Sequence, residues 1–499
     1  MELFTIGFPV ALTLQNLAFC FVGVFLGTFV GVLPGIGALA AISLLLPITY
    51  YVDSISAIVM LAGIYYGSEY GGSTASILLR IPGTASSAVT CIDGYPMTQQ
   101  GKAALALFIT TMASFVGSII GILVLMFLIP IIVVLTMEFG PAQYFAAMLF
   151  GLIAAATIGQ GDPLKSIAMV VLGLMLGLIG ADVNSGIVRF NFGFLSLYDG
   201  ISLVTLAMGL FGVSELIASV MSSKHRAHHQ PIAFRAMIPS FDEGRRAGKA
   251  ILRGSGLGSI FGPLPGTGPL MASFLAYALE KRISRHPERF GKGAIEGVAA
   301  PEAANNATIQ TAFVPTLSLG IPGTPTMAII LGALMIHGII PGPRMIDTHP
   351  DLFWGLVASF WIGNVILVIL NVPLIGIWVR LLQMPYRYLY PTVVCLICIG
   401  TYSLNNNVFD VVMLFVFGFV GYGMRLLGFE PAPLLIGFVL GPMIEEQFRR
   451  AMLLARGNVL GLFDGPIATT LLVMAAALAV WVVVGVVRGG RHKPLQTEP

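Results

Sequence analysis

Charge is what this chain has least of. Only 10% of its 499 residues are Asp, Glu, Lys or Arg, against about 25% in a soluble domain, whose surface must be solvated. With 57% hydrophobic residues and apolar runs from end to end, little sequence is left for a soluble domain. The net charge of +3 gives no reason to expect nucleic acid. Lys and Arg are missing altogether before Arg80, so the N-terminal apolar stretch lacks the basic n-region of a cleaved signal, and no clear small-residue cleavage site follows it. Cysteine is scarce, four in all. Cys395 and Cys398 form a C-x-x-C inside an apolar run with no further ligands nearby, which reads as helix packing rather than redox or metal chemistry. H-E-x-x-H, G-x-S-x-G, Walker A and the paired-Asp or Ser/His arrangement of an intramembrane protease are also absent. Neither an enzyme, nor ATP hydrolysis by this chain, nor a cofactor is expected.

What is present is hydrocarbon. The tracts 103–136, 352–382 and 466–487 contain stretches able to cross an apolar core of about 30 Å as helix. That length rule predicts roughly 10 to 14 membrane segments, many of them interrupted by the 59 glycines and 30 prolines. The expected fold is an all-α polytopic membrane protein. Basic residues cluster at Lys224, Arg226, Arg235, Arg245, Arg246, Lys249 and Arg253, again at Lys281, Arg282, Arg285, Arg289 and Lys292, and at Arg488, Arg491 and Lys493. The positive-inside rule puts all three clusters in the cytoplasm. Between the first two lie only 27 residues, Gly254 to Glu280. As helix they reach about 40 Å, whereas two full crossings need about 60 Å. A re-entrant hairpin with Gly262-Pro-Leu-Pro-Gly-Thr-Gly268 near its tip fits; an interfacial helix–loop–helix, or one cluster outside, stays open.

The chain repeats itself. Gly31-Val-Leu-Pro-Gly-Ile-Gly37 matches Gly262–Gly268 at an offset of 231, and Ile81-Pro-Gly-Thr84 recurs as Ile321-Pro-Gly-Thr324 at 240. Ile92-Asp-Gly94 with Pro96 parallels Ile336-His-Gly338 with Pro341, at an offset of 244. Three weak motifs in one order with slowly growing offsets predict two homologous halves. The first Leu-Pro-Gly lacks basic flanks and the second is bracketed by them, which suggests inverted repeats with broken helices. The layout read from this is a first membrane repeat over 1–221, a basic cytoplasmic connector over 222–253, a second repeat over 254–465, and a C-terminal transmembrane helix with a short basic tail over 466–499.

Polar residues gather beside these breaks. Helices restarting after Pro-Gly expose unpaired N–H groups and a positive dipole end, and neutral hydroxyls and carboxamides add donors. Together they suit an anion that must later be released. The candidate substrate-binding residues are Ser73, Thr74, Thr84, Asn305, Asn306, Thr308 and Thr324, with Pro34, Gly35, Pro265 and Gly266 opening the backbone. Close helix packing is the competing reading for each Ser and Thr. Among ionisable groups, Glu69, Arg80, Asp93, Glu302 and His337 are candidates for substrate or coupling ion. Arg80 reads either as a partner of Glu69 or as a contact for a substrate carboxylate, and Asp93 also reads as an interfacial loop position.

These motifs resemble the large membrane subunit of the tripartite tricarboxylate transporters. The resemblance rests on Gly31–Gly37, Tyr70-Gly-Gly-Ser-Thr74, Ile81–Thr84 with Asp93-Gly-Tyr-Pro-Met97, Asp199-Gly-Ile201 and Met208-Gly-Leu-Phe-Gly212. It continues through Glu296-Gly-Val-Ala-Ala-Pro-Glu-Ala-Ala-Asn-Asn-Ala307, Gly320–Gly323, His337-Gly338 with Pro341-Gly-Pro343, and Ala432-Pro-Leu434 with Gly437–Pro442. Membership implies a bacterial inner-membrane symporter for citrate or other small carboxylates, driven by H+ or Na+. It also implies two partners, a small membrane subunit and a periplasmic solute-binding protein. Two places depart from the family pattern. Arg80 stands where a small polar residue such as Asn commonly precedes the first Ile-Pro-Gly, and Thr308-Ile-Gln310 follows the Asn pair in place of a small, Gly-containing stretch. An anion channel or scaffold without coupled transport is the alternative.

Overall fold

Apolar residues on every face, rather than along one stripe, mark the two helices around which the chain is built. The computed structural model describes residues 2–33, 37–136, 139–158, 162–182, 185–222, 234–381 and 386–487. The helices that shape its interior are, in chain order, α1 (Leu14–Val32), α2 (Gly37–Thr49), α3 (Ser54–Leu79), α4 (Thr90–Gln99), α5 (Ala103–Thr136), α6 (Ser214–Ser222) and α7 (Phe241–Phe261). They continue with α8 (Gly268–Ile283), α9 (Ile295–Leu319), α10 (Pro325–Ile336), α11 (Pro350–Asn371), α12 (Val408–Leu426), α13 (Pro431–Leu454) and α14 (Gly465–Val487). Five of these, α1, α5, α11, α12 and α14, are long and apolar enough to cross a membrane. The chain is an all-helical, multi-pass membrane protein. Among the described residues the one departure is a small antiparallel pair, Gly180–Ala181 with Val188–Arg189.

The two central helices are α3 and α9, buried around almost their whole circumference. Each is gripped by a glycine ladder. On α1, a methyl group at Gly23, Gly27 or Gly31 would fall 2.4, 2.5 or 2.0 Å from the carbonyl oxygens of Met60, Ile64 and Ser68 on α3. On α7 and its C-terminal cap, the same change at Gly254, Gly258 or Gly262 would fall 2.3, 2.2 or 2.6 Å from those of Ala300, Ala304 and Thr308 on α9. The four-residue spacing and the partner spacing are the same in both pairs. Backbones this close leave room only for hydrogen at Cα, as in small-residue interfaces of membrane helices. A third ladder, Gly117 and Gly121 of α5, closes on Ala303 and Ala307 of α9.

Both central helices end alike. Arg80 (φ 59°) caps α3 and Gly320 (φ 68°) caps α9, each left-handed and each followed by Ile-Pro-Gly-Thr. Proline cannot continue the helix and biases the residue before it toward extended backbone. The position that departs from the family pattern is thus a helix terminus, with an exposed side chain. Left-handed backbone costs a non-glycine residue about 1–2 kcal/mol.

Residues 241–283 form a helical hairpin of α7 and α8. Its tip is the turn Gly262–Thr267, where the Gly266 N–H donates to Gly323 O at 3.0 Å. Its open end is tied by Arg253, whose Nε and Nη2 reach the Glu280 carboxylate at 2.6 and 2.7 Å. Because α7 starts at Phe241 behind a Ser240–Glu243 capping box, Arg245, Arg246, Lys249 and Arg253 sit on helix. Of the basic connector read over 222–253, residues 241–253 thus belong to the hairpin, and 223–233 lie outside the described residues. The Glu445–Arg449 and Glu446–Arg450 pairs form at helical spacing, and the first also joins Arg189 and Asp182.

Gly27→Ala and Gly258→Ala should each lower thermal stability in detergent, by about 1–3 kcal/mol as overpacking does. Gly248→Ala, with nothing within 4 Å of the added carbon, should leave it unchanged or raise it by up to about 1 kcal/mol through helix propensity. Arg80→Gly should raise the melting temperature, worth about 1 kcal/mol; a fall would show that the side chain makes a needed contact.

Candidate functional site

The two Ile-Pro-Gly-Thr breaks and the hairpin tip meet in one cavity of about 590 Å³. The first turns of four helices contribute to its wall: Gly37 and Ala38 of α2, Gly268 and Pro269 of α8, Pro325 and Thr326 of α10, and Ala432 and Pro433 of α13. First-turn N–H groups have no partner within their own helix, and the dipoles add positive potential there. Thr324 caps α10, its Oγ1 accepting from Met327 N–H at 3.2 Å. The first break is stapled differently: Thr84 N–H donates to Ser87 Oγ at 3.1 Å, and Ser87 Oγ returns a bond to Thr84 O at 2.8 Å.

Against this positive surround stands one deeply placed carboxylate. Glu69, on α3, is only 5% exposed and lines the cavity. Its Oε2 accepts from Thr84 Oγ1 at 2.8 Å, from Ser86 Oγ, and from Asn305 Nδ2 at 3.1 Å. All three donors are neutral. Asn305 reaches over from α9, so the Glu69–Asn305 bond joins the two central helices, and its own Oδ1 has no partner. At the rim, Glu215 of α6 pairs with Arg425 of α12. Glu430, in the loop before α13, completes the charged lining, and burial pushes its carboxyl up to about 7.

Of the residues singled out from sequence, the cavity wall takes Glu69, Thr84, Gly266 and Thr324, and Asn305 stands behind Glu69. The other described ones lie elsewhere. Pro265 lines a separate apolar groove beside α14. Ser73 hydrogen-bonds Tyr70 O, and Thr308 bonds Gly258 O and Ala304 O at the α7–α9 seam. Thr74 is buried on α3, off the cavity wall. Asn306, one residue and about 100° of helix from Asn305, turns its Nδ2 back to Glu302 O at 3.0 Å. Glu302 is buried against Thr90 and Ser114. His337 ends α10. Pro34 and Gly35 lie outside the described residues.

Asp93 is a clasp between the halves. Its Oδ1 accepts from the N–H groups of Gly291, Gly293 and Ala294 at 2.9, 2.8 and 2.8 Å, and its Oδ2 from Tyr277 OH at 2.9 Å. This carboxylate of α4 thereby fixes the link between α8 and α9. The sequence reading did not name Ser86, Glu215, Arg425 or Glu430, which also line the wall. Glu215 was visible as a lone carboxylate just after Met208–Gly212, but nothing in the sequence pairs it with a residue 210 positions away.

A 489-residue stretch, 98% of the chain, is 47% identical to the "Uncharacterized 52.8 kDa protein in TAR-I ttuC' 3'region" of Agrobacterium vitis, covering 97% of that protein. A second Agrobacterium vitis protein, the "Uncharacterized protein in TAR-II ttuC' 3'region", is 52% identical over 236 residues, which is 47% of this chain and 98% of that one. No solved structure matches. Residues 17–436 match the family described as Tripartite tricarboxylate transporter TctA family, and the chain belongs to it.

Proposed function

We propose that this chain is the large membrane subunit of a secondary transporter that imports small carboxylates, of the di- or tricarboxylate class, across the bacterial inner membrane. A periplasmic solute-binding protein delivers the substrate, and a small membrane subunit completes the complex. The observation that carries this reading is the cavity, where the first turns of four helices surround a buried carboxylate held by neutral donors alone. Helix N-termini and hydroxyls attract an anion with little fixed positive charge, so binding stays weak enough for release.

Glu69 supplies the coupling. An ionised carboxylate with no cation beside it is costly in an apolar interior, and it repels an anionic substrate. A proton or Na+ arriving at Glu69 removes both penalties. Substrate and cation then bind each other's occupied state more tightly, and that reciprocity is what links the two gradients. Thr84 and Ser86, which meet Glu69 at the first break, are placed to report its charge to the substrate site. The two halves act as inverted repeats, with basic flanks at the second Leu-Pro-Gly motif and none at the first.

In vesicles holding the complete complex, an imposed H+ or Na+ gradient should drive accumulation of labelled citrate. Glu69→Gln should lower gradient-driven accumulation at least tenfold while preserving citrate exchange across the membrane. Undiminished accumulation in that variant would remove Glu69 from coupling. Flux that neither saturates nor follows the gradient would identify a channel instead.

A further inference from the structure

Among the described residues that line the cavity, Arg425 is the sole basic one; the carboxylates of Glu69, Glu215 and Glu430 share the wall. Arg425 is bound already, to Glu215 across the rim. The pair is set by backbone. Gly209, one turn before α6, lies against Leu414 of α12, where an added methyl would fall 2.7 Å from its carbonyl oxygen. Gly421 lies against Leu210 in the same way, at 2.8 Å. The helices carrying the two charges therefore hold a fixed spacing, and only the side chains have freedom to part. The Arg425 side chain is 43% exposed and that of Glu215 25%, so an incoming solute can reach both.

We propose that Arg425 is the anchor for one substrate carboxylate, and that Glu215 is the internal carboxylate this substrate group displaces. The inference deepens the reading of the cavity as a carboxylate site and rests on it. A guanidinium presents a planar fork that matches a carboxylate, whether the carboxylate belongs to Glu215 or to a small acid. Exchange of one for the other keeps the guanidinium paired throughout, so neither loading nor release leaves a bare cation at the rim. Glu215 then acts as a built-in competitor: it weakens substrate binding and speeds release. A second carboxylate of the substrate is left to face the helix N-termini deeper in the cavity. This arrangement selects acids with at least two carboxylates over acids with one.

The opposite signs expected for the two partners make the test sharp. Binding of citrate, succinate and the succinate monoamide succinamate to the purified full-length complex is measured calorimetrically for the wild type, Arg425→Gln, Arg425→Lys and Glu215→Gln. Arg425→Gln should weaken citrate or succinate at least tenfold and remove the preference for succinate over succinamate. Arg425→Lys should restore part of the affinity. Glu215→Gln, which frees the anchor, should tighten the same acids severalfold. If the wild type binds the acids and both Glu215→Gln and Arg425→Gln weaken them alike, the pair is a structural tie; this proposal falls and the carboxylate site stands. Binding of the acids unchanged in Arg425→Gln overturns it equally. A wild type that binds none of the acids contradicts the carboxylate reading itself, and the anchor with it.

Discussion

Backbone groups freed inside an apolar slab must find partners, and the interior of this protein follows from how it meets that constraint at two places. Proline stops both α3 and α9, and irregular backbone at membrane depth is tolerated only where protein or a polar cavity receives it. Here both receivers are present. Glycine ladders bring α1 and α7 so near the central helices that side chains are excluded, which walls off the breaks. The Ser87 and Thr324 hydroxyls then take up the N–H groups of Thr84 and Met327. The first turns of four helices face a shared cavity, which on the proposed function is where an anion is welcome.

The same constraint explains why the halves are alike in construction and unlike in charge. Both use a glycine ladder, a left-handed cap and Ile-Pro-Gly-Thr. Only the first central helix places a carboxylate, Glu69, on the cavity wall, and only the second contributes Asn305 to hold it. On the proposed function, coupling would live in the contact between halves rather than in either one, which suits a carrier whose halves must respond together. At the rim, Glu215 and Arg425 pair between helices held at close backbone approach.

Much of this was legible in the sequence, and the failures have a common cause. Repeated motifs announced the two breaks, and the short span between basic clusters announced the hairpin, because both depend on local order and length. The polarity of Glu69 in an apolar run marked it as exceptional. Direction was harder. Asn305 and Asn306 look equivalent in one dimension, yet helical phase sends one to Glu69 and the other to the Glu302 backbone. Arg80 reads as chemistry and Asp93 as either chemistry or an interfacial loop position; the structure places the first at a helix cap and the second on a helix, as acceptor for three backbone N–H groups of the other half. Glu215 and Arg425 could not be joined from sequence, because tertiary packing alone brings them together.

The central claim is that both Pro-Gly breaks face one ligand. Single cysteines at Ala85 and at Thr326, each on the cavity wall beside its own break, test it directly in a background where the four native cysteines are serine. Alkylation at both positions should be slowed by the same carboxylate, with the same half-protecting concentration. Protection at one position alone, or half-protecting concentrations that differ, would contradict a single site shared by the two halves.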